Sequence, residues 1–174
     1  MSDPGSFGRR SVVAFVGEEA PTPSGEAFTP AEEKYDVEGR IGAGGMGEVL
    51  LVSDRDLRRQ VAMKVIREEV ASSSEGRMRF VVEAQATSQL EHPGIPPVHD
   101  IGIAPDGRLY FTMKLVRGRT LAEVLKDLLL GVRSVKREWT LHRLVTVLER
   151  VSEALHFAHE KGVIHRDLKP ENVM

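Results

Sequence analysis

The stretch IGAGGMGEV at residues 41–49 constrains the fold more than any other part of the sequence. Its glycines Gly42, Gly44 and Gly47 are spaced as G-x-G-x-x-G, and glycine permits both tight turns and close approach of the backbone to a ligand. In a dinucleotide-binding fold this spacing opens a helix that holds a pyrophosphate. Here the run EVLLVSD follows, which is typical of a strand. The sequence therefore predicts a β-hairpin whose glycine tip is either a simple tight turn or a cover for a polyphosphate.

Short strand-like runs surround this hairpin. YDVEGRIG, EVLLVSD and QVAMKVI predict three antiparallel strands, and GIPPVHDIGI and LYFTMKLV predict two more, joined by the turn APDG. Between the two groups, a helix is predicted at about residues 75–91. A second long helix is predicted from residue 141 to near Gly162, because apolar residues recur there at helical spacing; they are Leu141, Leu144, Val145, Leu148, Val151 and Leu155.

These elements predict an α+β fold with two parts. Residues 34–117 form a β-rich small lobe with one helix, and residues 118–174 form the beginning of a helical lobe. Residues 1–33 are rich in Pro, Gly, Ser and Thr and are expected to be a disordered leader, since they offer too little apolar surface to offset the entropy of ordering.

The composition limits the classes of partner and the cellular location to be expected. The net charge of -2 gives no electrostatic reason to expect nucleic acid or an anionic membrane as a partner. The chain has no cysteine, which excludes disulfides and thiolate metal sites and fits a reducing cytoplasm. No apolar run reaches the length of a membrane span, so a cytoplasmic location is expected, although a later segment of a longer protein would be able to anchor it.

The run VAMK places a small residue and a cation on one face of a strand. Ala62 and Lys64 are two positions apart and point the same way, whereas Val61, Met63 and Val65 point to the other face. Ala62 leaves space for a flat adenine ring, and Lys64 is then placed to reach the phosphates. In the absence of the neighbouring motifs, Lys64 would be better explained as a solvated strand lysine.

The predicted helix at 75–91 offers a partner for that lysine. Phe80, Glu83, Thr87 and Leu90 lie on one helical stripe, so Glu83 faces the sheet, where an unpaired carboxylate is costly. We expect an ion pair between Glu83 and Lys64. The alternative is a Glu83 that lies at the edge of the stripe and is solvated.

The run HRDLKPEN carries the third group of candidate residues. Asp167 is suited to accept the proton of an attacking hydroxyl, Lys169 to neutralise charge on a transferring phosphoryl group, and Asn172 to bind a magnesium ion.

Together, G-x-G-x-x-G-x-V, V-A-M-K and H-R-D-L-x-x-x-N, in this order and on these elements, resemble the eukaryotic-like protein kinase family. The resemblance runs from about Tyr35 to Met174. A lysine two residues after Asp167, here Lys169, resembles the pattern of the serine/threonine branch. The segment GVIHRDLKPENVM is similar in sequence to the corresponding segment of bacterial members.

The resemblance implies ATP and Mg²⁺ as cofactors and Ser or Thr of a protein as the acceptor. It implies that Lys64, Glu83, Asp167 and Lys169 serve catalysis, with Asp167 as the base, and that Asn172 binds the metal. Met113 corresponds to the gatekeeper, and the backbone of residues 114–116 to the hinge that binds adenine; Lys114 departs from the acidic residue that many relatives have there. The residues expected to contact the nucleotide are Ile41, Gly42, Ala43, Gly44, Gly45, Met46, Gly47, Val49, Ala62, Lys64, Met113, Lys114, Val116 and Met174.

Two other features have simpler explanations. His156 and His159 are three apart on a helix but lack a third metal ligand, so we interpret them as surface or core-edge residues. Residues 117–143 hold seven Arg and Lys against three acidic residues, and we interpret them as a solvated connecting helix and loop rather than a docking patch.

Two functions remain open at this stage. The first is ATP-dependent phosphorylation of Ser or Thr, and the second is a non-catalytic nucleotide-binding module, a pseudokinase. The sequence contains no Asp-Phe-Gly tripeptide, which in the family supplies the second metal-binding group and precedes the activation segment. We therefore expect the chain to be a truncated kinase that is inactive in isolation.

Overall fold

A computed structural model describes residues 14–15, 29–30, 34–104 and 106–174, with only the backbone for the first two pairs. The predicted disordered leader, residues 1–33, lies outside the described residues apart from those two pairs. They form strands β1 (Ala14–Phe15) and β2 (Thr29–Pro30).

The core of the small lobe is a sheet of five longer strands. They are β3 (Tyr35–Ala43), β4 (Gly47–Asp54), β5 (Arg59–Ile66), β6 (Val98–Ile103) and β7 (Leu109–Lys114). The strand order is β2-β6-β7-β5-β4-β3, antiparallel throughout except for the edge pair β2 and β6, which is parallel. β6 begins four residues later than its predicted run, because Pro96 and Pro97 have no N–H to donate to the sheet.

The two faces of the sheet bury different clusters. On one face Val61, Met63 and Val65 pack with Tyr35, Val52 and Tyr110. On the other, a cluster of Met46, Ile66, Phe80, Ala84 and Phe111 joins the sheet to a helix. The predicted alternation of β5 is confirmed.

That helix is α2 (Ser74–Ser88), close to the predicted span. It begins where the Ser73 side chain accepts a hydrogen bond from the Gly76 N–H at 2.9 Å, which satisfies one of the free amides of the first turn. A one-turn helix, α1 (Glu68–Ala71), precedes it and was not predicted.

The second part of the chain is helical. The segment predicted as a connecting helix and loop forms α3 (Leu121–Leu129) and α4 (Arg133–Glu138). It leads into α5 (Leu141–Glu160), strand β8 (Val163–Ile164) and a 3₁₀ turn (Pro170–Asn172). β8 pairs with β1. Gly162 ends α5 with a φ of 74°, a conformation that other residues adopt only with strain.

The two parts meet at the carboxyl ends of α2 and α5. Ala86 and Leu90 pack with Ala158 of α5 and Val163 of β8, and all four are buried. α2 therefore contacts both the sheet and the helix that leads into residues 165–172. At its other end α5 leaves Leu141, Val145 and Leu148 more than half exposed. Within the described residues, no helix combines the length and apolar character needed to cross a bilayer.

Candidate active site

The sheet register aligns the predicted nucleotide-contacting residues on one face. Lys64 on β5 lies opposite Val49 on β4 and Phe111 on β7. Ala62, two residues before Lys64, lies opposite Met113. Residues paired across neighbouring strands, and residues two apart on one strand, share a face. The small side chain of Ala62 and the cation of Lys64 therefore belong to one surface, with Met113 beside Ala62.

Lys64 forms the predicted ion pair with Glu83 of α2. The Lys64 Nζ lies 2.5 Å from the Glu83 Oε1, and the two side chains are only 13% and 15% exposed. The same Nζ lies 5.5 Å from the ring centre of Phe111 and 5.8 Å from that of Phe80, within the range of a cation–π interaction. The pair is held in a mostly apolar environment, so it fixes both the lysine tip and the position of α2.

The two carboxylate oxygens of Glu83 differ in their hydrogen bonding. Its Oε2 is buried and has no hydrogen-bond partner among the described residues. A buried carboxylate oxygen without a donor is costly, so this atom is an open acceptor beside the Lys64 ammonium. The sequence predicted the pair but gave no sign of the unpaired oxygen.

The glycine loop at the β3–β4 turn is closed by a hydrogen bond from the Gly44 N–H to the Gly47 carbonyl at 2.8 Å. Gly47 has no room for a side chain, because a Cβ there would overlap the Val65 carbonyl oxygen of β5. Glycine at this position is therefore required for β4 to lie against β5.

The Met46 side chain at the tip of this loop is buried, and its contact with a nucleotide stays a prediction. Met46 was predicted to contact the nucleotide, yet its side chain is 8% exposed and belongs to the cluster that includes Phe80 and Phe111. Its carbonyl accepts a hydrogen bond from the Arg67 N–H at 3.1 Å. In this structure the loop tip is therefore packed into the core between the sheet and α2.

The predicted hinge follows β7. Lys114 is exposed, and its N–H donates to the Pro97 carbonyl at 3.0 Å. Val116 is 37% exposed and makes no hydrogen bond to any residue that the structure describes. Its backbone groups are therefore available to a ligand, as the expectation for the hinge requires.

The three candidate site residues of HRDLKPEN contact one another. The Lys169 Nζ donates to the Asp167 Oδ2 at 2.6 Å. The Asn172 side-chain amide donates to the Asp167 carbonyl at 2.8 Å and to its Oδ2 at 3.3 Å. Arg166 has a φ of 57°, so the backbone turns through a left-handed conformation immediately before Asp167. This turn and the 3₁₀ turn at Pro170–Asn172 bring the carboxylate, the ammonium and the amide together.

The donor set at this loop suits a magnesium ion in part. The Asn172 amide nitrogen is engaged by Asp167, which leaves its carbonyl oxygen as a hard ligand of the kind Mg²⁺ prefers. The described residues contain no cluster of three or more His, Asp or Glu side chains placed to bind a metal. Mg²⁺ usually keeps phosphate and water among its ligands, so a site with few protein ligands fits it when a nucleotide is bound.

The sequence profile of the protein kinase domain matches residues 35–174. The chain belongs to the protein kinase family. This kinase-family chain is 43% identical over 143 residues to the serine/threonine-protein kinase pkn3 of Myxococcus xanthus, covering 81% of the chain and 24% of the relative. It is 40% identical over 144 residues to the serine/threonine-protein kinase PknD of Protochlamydia amoebophila, covering 80% of the chain and 15% of that protein.

The fold agrees with a solved member of the family. The crystal structure of the Mycobacterium tuberculosis PknI kinase domain matches with a TM-score of 0.64 and 32% identity, over 87% of this chain and 57% of that one. The predicted kinase-like α+β fold is confirmed. The kinase-family chain spans a quarter or less of the length of the curated relatives named here and somewhat more than half of the solved domain.

Proposed function

We propose that the protein containing this chain transfers the γ-phosphoryl group of ATP to a Ser or Thr hydroxyl of a protein substrate. The main support for the proposal is the contact of Asp167 with both Lys169 and Asn172. The match of residues 35–174 to the protein kinase family supports it further. The names of the relatives support Ser/Thr rather than Tyr as the acceptor.

In this proposal Asp167 acts as the general base. Its carboxylate takes the proton of the substrate hydroxyl, the hydroxyl oxygen forms a bond to the γ-phosphorus, and the bond from that phosphorus to the β,γ-bridging oxygen breaks. ADP leaves with the electron pair. Lys169, 2.6 Å from Asp167, is close enough to neutralise charge on the phosphoryl group as it moves.

The small lobe holds the nucleotide in the same proposal. The cross-strand pair of Ala62 and Met113 borders the adenine, and Val116 offers backbone groups to its edge. Lys64, held by Glu83, binds the phosphates.

Magnesium would neutralise phosphate charge when bound with the nucleotide, and Asn172 is the side chain that would hold it. In this proposal Asn172 orients that ion, Lys64 positions the phosphates and Asp167 receives the proton.

The test uses the full product of the reading frame that contains these residues, assayed for γ-phosphate transfer to a generic Ser/Thr substrate. We expect Asp167→Asn and Lys64→Met each to lower kcat by orders of magnitude and to leave the fold intact, because each removes a group that acts mainly on the transition state. The matched controls are Asp56→Asn, in the exposed β4–β5 turn, and Lys126→Met, on the exposed side of α3.

A variant Asp167→Asn or Lys64→Met that retains the parental rate contradicts the role given to that residue. A parental protein that binds ATP but transfers no phosphate to any Ser or Thr substrate supports the pseudokinase instead.

A further inference from the structure

Two phenylalanine rings lie beside the ammonium of Lys64. Phe111 stands opposite Lys64 in the pairing of β5 with β7, and Phe80 lies on α2, three residues before Glu83. The Lys64 Nζ is 5.5 Å from the ring centre of Phe111 and 5.8 Å from that of Phe80. Two aromatic rings from two different elements of the small lobe therefore border the ammonium, in addition to the Glu83 carboxylate.

Packing fixes both rings in place. Phe80 is completely buried and Phe111 is 2% exposed, and their ring centres lie 5.2 Å apart with an angle of 50° between the ring planes. Met46, Ile66 and Ala84 complete the buried cluster around them. Side chains in such a close-packed core have little freedom to move apart, so each ring holds a constant position relative to the ammonium.

The rings and the carboxylate attract the cation in different ways. A lysine ammonium has three N–H donors, and within residues 34–104 and 106–174 the only acceptor of the Lys64 ammonium is Glu83. The face of a phenyl ring attracts a cation through its quadrupole and takes up none of these donors in a conventional hydrogen bond. The rings therefore stabilise the ammonium while leaving N–H donors for a phosphate.

This restraint matters because lysine is a flexible residue. Its four-carbon stem carries considerable rotamer entropy, which is lost when the ammonium is held in one place. A side chain that is already restrained before a ligand arrives avoids that loss on binding. An aliphatic side chain in place of Phe111 would fill similar space but would lack the quadrupole that attracts the cation.

We propose that Phe111, supported by Phe80, is a positioning residue for phosphoryl transfer, and that it holds the Lys64 ammonium by a cation–π interaction at the place where the nucleotide phosphates bind. The proposal rests on the proposed function, because that function assigns the phosphates to Lys64. Neither ring touches the phosphates, and both act through the lysine. The affinity for ligands that carry phosphates should therefore depend on the electrons of the ring.

The experiment changes those electrons while the shape of the ring stays nearly constant. In the full product of the reading frame, Phe111 is replaced by phenylalanine analogues that carry one, two or three ring fluorines, which progressively weaken the negative face of the ring. Calorimetry measures the affinities for a non-hydrolysable ATP analogue and for adenosine. A kinase assay with a generic Ser/Thr peptide measures kcat/KM for ATP.

We expect the affinity for the ATP analogue to fall with each added fluorine, by about three- to tenfold in total, and kcat/KM for ATP to fall in parallel. Adenosine affinity should stay constant, because adenosine has no phosphate for Lys64 to bind. Constant adenosine binding also shows that the small lobe of each variant is folded. The same series at Phe80 should give a smaller fall in the same direction, since its ring lies farther from the ammonium.

Two controls separate this effect from packing. In the Lys64→Met background the fluorine series at Phe111 should leave the affinity for the ATP analogue unchanged, because no cation remains to be attracted. The same analogues are also placed at Phe157 of α5, whose ring centre lies 6.0 Å from the Nζ of Lys161. This pair is outside the candidate site, so fluorination there should change neither affinity.

An affinity for the ATP analogue that stays constant across the Phe111 series would overturn the proposal. So would an equal fall in adenosine affinity or an equal fall in the Lys64→Met background, because the ring would then act through packing alone. If the parental protein transfers no phosphate, the proposed function fails, while the ratio of the two affinities still decides whether Phe111 positions Lys64. A parental protein that binds no ATP analogue would overturn both.

Discussion

The ion pair of Lys64 and Glu83 gives the sharpest prediction. Both side chains are largely buried and their charged atoms lie 2.5 Å apart. Removing one partner of a buried pair costs about 3–5 kcal/mol, because the other charge is left unpaired. Lys64 and Glu83 keep about one seventh of their surface exposed, so we expect Glu83→Gln to cost about 2–3 kcal/mol. If that energy also holds the phosphates in place, kcat/KM should fall roughly 30- to 150-fold.

A double-mutant cycle separates this pair from other effects. The product of the full reading frame is assayed for phosphoryl transfer as the parent, Glu83→Gln, Lys64→Met and the combination of both. Because both changes break one pair, the second should cost much less in the presence of the first, with a coupling of about 2–3 kcal/mol. The matched control is Glu75→Gln on the same helix, where the side chain is 79% exposed; its effect on kcat/KM should be less than about twofold.

Effects of Lys64→Met and Glu83→Gln that multiply independently, to within about 0.5 kcal/mol, would refute the reasoning. They would mean that the ion pair contributes nothing to the catalytic position of Lys64.

The remaining predictions concern the glycine loop and the sheet. Gly47→Ala should distort the β4–β5 contact and lower both the free energy of unfolding and the nucleotide affinity, because the new Cβ would overlap the Val65 carbonyl oxygen. Gly44→Ala should leave the free energy of unfolding within about 1 kcal/mol of the parent, because the atom nearest to its Cβ is 3.9 Å away. Denaturant titration and binding of a nucleotide analogue measure both quantities, and equal losses in the two variants would contradict the prediction. Burial raises the pKa of Tyr110 to about 12 from 10.0, so the folded state favours the neutral phenol. The neutral Tyr110 phenol therefore contributes fully to the free energy of unfolding below pH 10, and this contribution is lost as the pH rises from 10 towards 12. Denaturant unfolding across this range should show that loss, Tyr110→Phe should reduce it, and an unchanged pH dependence in the variant would contradict the assignment.

Much of the candidate site follows from sequence because its determinants are local. The alternation of β5 is a property of any strand, so Ala62 and Lys64 had to face opposite to Met63. The position of Glu83 on the inner stripe of α2 follows equally from helical periodicity, and the pair with Lys64 was predicted on that basis. Asp167, Lys169 and Asn172 lie within six residues, so a short turn is enough to bring them together, although their mutual contacts were not predicted.

Tertiary packing decided the features that depend on distant parts of the chain. The burial of Met46 follows from α2 and β7 bringing Phe80 and Phe111 beneath the glycine loop, and no pattern within the loop encodes that. The unpaired Oε2 of Glu83 likewise depends on which donors the fold brings near it.

A cavity beside Trp139, where the start of α3, the α4–α5 junction and α5 meet, is the clearest example of a feature that depends on tertiary packing. Its basic residues are spread from Arg119 to Arg150, and the sequence showed only an excess of charge over residues 117–143. A helical wheel gives the face of each helix but not the angle at which helices cross, so the fold alone placed Arg150 of α5 beside Arg119 and Trp139. Periodicity is set by bonds between neighbours along the chain, whereas a concave surface is set by the packing of elements against one another.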